Sequence, residues 1–127
     1  MGAAYFIVLE KDIPGIDPYV NGEALFRSAV KLDRLAGRLS VKPLRKFSPE
    51  EEDASEWGGS QQTKVVAAEW FDPEPGLVTV DALLRHLGEA PAAIHNGDEV
   101  VADLEDFRRI LISAKKSHVR WRLEVDL

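Results

Sequence analysis

Residues 41–64 carry Pro43, Pro49, Gly58 and Gly59, two glutamines and a dense run of charge, with no sustained apolar period. A stretch of that kind buries too little apolar surface to offset the entropy of ordering it. The core must therefore be assembled from the residues on either side. The reading is one domain over 1–127 with a mobile acidic loop at about 41–64. Within it, Ser48-Pro49-Glu50-Glu51 has the form of a capping box with proline at the first helical position, which predicts one or two helical turns from 49 to about 55.

Ahead of the loop, residues 3–9 are dense in aromatic and β-branched side chains and apolar on both alternating faces, the pattern of a central strand covered on both sides. Pro14, Gly15, Asp17 and Pro18 then make turn material. Over 23–39 the apolar residues Leu25, Ala29, Leu32, Ala36 and Leu39 step by four, three, four and three. At about 100° per residue they share one face of a single helix. Asn21 is placed to cap it and Glu23 to complement its dipole.

Beyond the loop, residues 65–71 read as a short second strand, ended by Asp72-Pro73. Asp72 is a suitable N-cap, Pro73 a first helical residue and Glu74 a first-turn acid. Leu77, Val80, Leu83, Leu84 and Leu87 form the apolar stripe of a second helix that Gly88 would stop. Asn96 opens a third helix, with Val100, Val101, Leu104, Phe107, Leu111 and Ala114 on one arc and Lys115 and Lys116 at its negative end. His118 would open a last strand, in which Val119, Trp121, Leu123 and Val125 alternate with Arg120, Arg122, Glu124 and Asp126. The expected order is β-α-(long loop)-β-α-α-β, an α+β domain whose small three-stranded mixed sheet is packed by about three helices.

A chain of 127 residues is long enough for a core without staples, and it has no cysteine. That removes disulfides, thiolate metal sites, iron–sulfur ligation and a cysteine nucleophile. The first apolar run is too short to span a bilayer, follows no basic region and meets Glu10, Lys11 and Asp12. The expectation is a soluble cytoplasmic protein without a membrane partner.

Sixteen Lys and Arg stand against 22 Asp and Glu, a net charge of −6, and the charge is segregated in blocks. Glu50, Glu51, Glu52, Asp53 and Glu56 account for all but one of the net negative charges. Arg27, Lys31, Arg34, Arg38, Lys42, Arg45 and Lys46 share their stretch with one acid, Asp33, whereas 69–106 holds ten acids and one base, Arg85. Arg27, Lys31, Arg34 and Arg38 step by four, three and four. They fall within about 60° of one another, opposite the apolar stripe. Such a ridge serves either as a solvated face balanced by the acidic run or as a surface for an anionic partner. An acidic chain lacking any helix-turn-helix, zinc-finger or RNP pattern argues against nucleic acid.

Chemistry-bearing patterns are sparse. His86, His95 and His118 stand at no metal-ligand spacing, and capping or solvent-facing roles account for them. No serine sits in a nucleophile elbow and no glycine run cradles a phosphate, so no catalytic residue, metal or cofactor is assigned. Trp57, in the most polar stretch, either pins the loop or meets a partner. The expectation is a non-catalytic, regulatory protein-binding protein. Its partner of unknown identity would be engaged through Arg27, Lys31, Arg34, Arg38, Glu50, Glu51, Glu52, Asp53 and Trp57. A homodimer is compatible with that reading. The alternative is a small-molecule-binding protein or enzyme with a pocket at the strand-to-helix junction, built from Trp70, Asp72, Glu74 and His86.

Overall fold

A computed structural model describes residues 3–48 and 69–126. Within them the chain is mixed α+β, with four α-helices and a two-stranded antiparallel sheet. The order is β1 (Ala4–Leu9), α1 (Glu23–Arg27), α2 (Ala29–Leu39), a 3₁₀ turn (Leu44–Phe47), α3 (Pro73–Glu89), a second 3₁₀ turn (Pro91–Ala93), α4 (Gly97–Ser117) and β2 (Trp121–Asp126). β1 and β2 join the two ends of the chain, with Tyr5 opposite Val125 and Leu9 opposite Trp121.

Several expectations are corrected. A three-stranded mixed sheet is not formed among the described residues. Of the stretch 65–71, residues 65–68 lie outside them, Glu69 and Trp70 carry no strand, and Phe71 makes one isolated antiparallel bridge to Trp121. Pro73 explains the brevity: it fixes its own φ and holds Asp72 extended at φ −67°, ψ 148°, so the chain turns directly into α3. β1 is likewise no central strand. Beyond β2 its backbone pairs, among the described residues, only with Gly22, in an isolated bridge at Tyr5. Its second apolar face is covered instead by a loop side chain, the Tyr19 ring lying 5.3 Å from that of Phe6.

The single helix expected over 23–39 is two, separated by Ser28 at φ −102°, ψ 15°. The apolar period runs through the break because the ladder is kept on both sides: Ser28 N–H donates to Ala24 C=O (3.1 Å) and Leu32 N–H to Ser28 C=O (2.9 Å). The two halves serve different neighbours, α1 packing on β1 and α4, and α2 on α3 and the first 3₁₀ turn. At its start α1 receives help from across the fold, since Leu25 N–H donates to an Asp103 carboxylate oxygen at 3.2 Å. Asn21 does act at this end, its side-chain oxygen accepting from Glu23 N–H at 3.1 Å.

The loop expected over 41–64 is structured where it is described. Leu44 and Phe47 stand three apart, so a 3₁₀ turn of three residues per turn brings both to one side, and both are buried. Thr79, fully buried in α3, donates through Oγ1 to Lys42 C=O at 2.6 Å and ties this segment to the core. The short helix expected from 49 to 55 lies outside the described residues.

α3 begins at Pro73 as expected but runs through Gly88 to Glu89. α4 closes with His118 in the left-handed region at φ 57°, while Val119 N–H donates back to Ala114 C=O at 2.9 Å. His118 therefore ends a helix rather than opening the strand, and two residues separate it from β2.

At one end the core is centred on Trp121, which has no exposed surface. Its ring stacks on Phe47, centroids 4.9 Å apart, and its Nε1–H donates to Asp72 C=O at 3.1 Å. Gly76 is required beside it, because a Cβ there would stand 2.5 Å from Trp121 Cζ2. Val80, Leu104, Phe107, Ile110, Leu111 and Leu123 complete this interior. Each fully buried aliphatic or aromatic side chain contributes roughly 1.5–3 kcal/mol of burial free energy.

Candidate functional site: a cationic groove along α2

The seven bases between Arg27 and Lys46 are put to different uses. Arg45 pairs with Asp33 at 3.0 Å, which turns the one acid of α2 away from the ridge. Burial raises the Asp33 carboxyl above its usual range, opposed by the Arg45 charge. Lys42 Nζ lies 4.5 Å from the Phe47 ring centroid and 4.7 Å from that of Phe71, a structural cation–π contact. Arg27 is held by Glu23 (3.5 Å) and by Glu99 of α4 (3.1 Å). Among the described residues, no carboxylate pairs with Lys31, Arg34 or Arg38.

Those three cations face a trough whose opposite wall is the connection from α3 to α4. One part, of about 440 Å³, has Arg27, Val30, Lys31 and Arg34 on one side and His95 and Asn96 on the other. The next, of about 230 Å³, has Lys31, Arg34 and Arg38 facing His86, Ala93 and Ile94. Lys31 and Arg34 line both, so the two hollows adjoin one another along α2. Local chemistry builds the far wall. Pro91 opens the second 3₁₀ turn, buried Ile94 pins it to the core, and Asn96 takes a left-handed conformation at φ 61°. Gly97 then passes so close that a Cβ would stand 3.0 Å from Pro91 C=O.

The basic ridge thus survives the helix break, with Arg27 at the end of α1 and the other three on α2. His86 and His95, read from the sequence as capping or solvent-facing residues, both line the groove. No spacing could reveal this, since the wall is brought to α2 by the packing of α3. Val30 was missed for another reason. It stands three after Arg27 and four before Arg34, so helical periodicity already places it on the basic face. It is 67% exposed, an apolar side chain among cations.

The junction at Trp70, Asp72 and Glu74 looks different. The Arg122 guanidinium covers the Trp70 ring at 4.5 Å, the Asp72 carbonyl accepts from Trp121, and Glu74 pairs with Lys115 at 2.8 Å. His86 does not join them. It lies twelve residues beyond Glu74 on the same helix, roughly 18 Å along its axis at about 1.5 Å per residue. Glu50, Glu51, Glu52, Asp53 and Trp57 lie outside the described residues. Among the described residues, no three His, Asp or Glu side chains are grouped to hold a metal ion, and no helix is long and apolar enough to cross a membrane.

The chain matches no protein-family model, no curated protein and no solved structure.

Proposed function

We propose that the protein is a small non-catalytic, regulatory binding protein of the cytoplasm that engages an anionic face of a partner protein through the groove along α2. The observation that carries this reading is the sorting of the basic block. Arg27, Lys42 and Arg45 are spent on internal contacts, whereas Lys31, Arg34 and Arg38 line an open groove without an acid beside them among the described residues. Like charges three and four apart repel by a few tenths of a kcal/mol per pair in an isolated helix, so an acidic neighbour relieves them. Cations on a rim steer association and set its salt dependence without any catalytic motif.

Native mass spectrometry of the protein isolated gently from its own cells, at low and at moderate salt, tests the reading. The expected result is a salt-sensitive heteromeric complex that the double variant Lys31→Glu/Arg34→Glu fails to form. A complex indifferent to that substitution, or a bare monomer or homodimer in every sample, would overturn it.

A further inference from the structure

The groove along α2 also carries information about the shape and chemistry of what fits it, and this step rests on the binding role just described. Lys31, Arg34 and Arg38 form a row rather than a cluster. They span seven residues of helix, about 10 Å at about 1.5 Å per residue, with neighbours roughly 5–6 Å apart. A single phosphate or carboxylate is held by donors that converge on one point; cations strung along a helix face do not converge. They match a ligand that repeats its negative charge at the same interval. An α-helix with acids three and four residues apart does so by construction.

A single-stranded nucleic acid also repeats its charge, and two features argue against it. No Phe, Tyr or Trp lines the groove, whose only rings are the imidazoles of His86 and His95, so the broad platforms that hold successive bases are absent from its lining. Val30 stands 67% exposed within the row, which suits an apolar side chain on the ligand and offers nothing to a phosphodiester backbone. The far wall, from Ala93 to Asn96, bounds the two hollows on the side away from α2.

We propose that the groove between α2 and the α3–α4 connection binds an acidic amphipathic helical segment of a partner protein, whose carboxylates at spacings of three and four pair with Lys31, Arg34 and Arg38 and whose apolar residue covers Val30.

The test is fluorescence anisotropy with a labelled helical peptide of alanine and glutamine carrying three glutamates at those spacings and one leucine beside them. A second peptide of identical composition has its glutamates distributed around the helix, and a labelled oligothymidylate of equal charge is the third probe. The in-register peptide should bind tighter than the scrambled one. Its affinity should fall at least ~10-fold in Lys31→Glu/Arg34→Glu, since each reversal removes an exposed attraction worth only a few-fold and puts a repulsion of similar size in its place. Val30→Ser should weaken the in-register peptide and leave the scrambled peptide unchanged. Equal binding of the two peptides, tighter binding of the oligothymidylate, or affinity unmoved by the charge reversal would each overturn the proposal. Circular dichroism of each variant confirms that it is folded. If the peptides fail while a cellular complex still depends on Lys31 and Arg34, only the helical-ligand inference falls. If the cellular complex ignores those residues, the broader binding role falls with it.

Discussion

The two ends of α3 sit in opposite kinds of environment. At its start, Gly76 lies under the fully buried Trp121 ring, and three groups nearby are taken up by the fold: the Trp121 Nε1–H on the Asp72 carbonyl, Glu74 on Lys115, and the Trp70 ring under Arg122, while the Asp72 carboxylate makes no cap bond. Near its end, His86 opens onto a groove whose facing cations have no acid beside them among the described residues. Both regions are rich in aromatic or charged residues in the sequence, and only one is spent on holding the fold. Residue type alone therefore does not separate structural from available groups; what separates them is whether neighbours have already satisfied them.

The contrast is broken most strongly at Trp121. Replacing it with alanine should cost about 3–5 kcal/mol, the range for deleting a large buried aromatic. Urea denaturation followed by circular dichroism measures it, and a loss under about 1 kcal/mol would show that this end is not the packed centre described. Glycine sharpens the same point with one substitution of two opposite signs. Gly76→Ala forces a Cβ into the indole and should destabilise by about 1–3 kcal/mol. Gly88→Ala, with nothing within 4 Å of the added carbon and an ordinary helical backbone, should stabilise by about 0.4–1 kcal/mol. Thermal melts of the two variants check the pair. At the groove, Lys31→Glu and Arg34→Glu singly should leave stability within about 0.5 kcal/mol of the parent, as surface substitutions do, even where they abolish binding.

The finest test is pH. Burial raises the Asp103 carboxyl above its usual range, with backbone N–H groups of Leu25 and Ala24 opposing. The folded state thus takes up the proton first, and stability relative to an Asp103→Asn variant should rise as pH falls from the raised value to the ordinary one. Glu10 behaves oppositely. The Arg120 side chain, bonded at 3.0 and 2.7 Å, holds its carboxyl below the usual range. Its contribution is present above the ordinary carboxylate value and is lost as pH falls through the lowered one, so wild type should lose ground to Glu10→Gln there. Parallel curves for the two pairs of proteins would contradict the assigned environments.

Much of this was legible in the chain. The buried residues Leu25, Leu32, Val80, Leu83, Leu104, Phe107 and Leu111 all lie on stripes set by helical spacing, and Trp121 and Leu123 on the inward face of an alternating strand. The basic ridge was legible for the same reason, since i, i+3 and i+4 positions share a face whatever the helix packs against. The sequence also excludes thiol chemistry outright, because it holds no cysteine. Tertiary structure decided the rest. It alone determined that Phe71 pairs with β2 at one point only, that Ser28 breaks the first helix where its halves meet different layers, and that Asp103 lies 3.2 Å from a backbone N–H 78 positions away in sequence. It alone brought His86 and His95 to the cations of α2. Local periodicity records which face of an element is apolar. It holds no record of which other element comes to lie against that face, and a groove between two elements exists only once that packing is made.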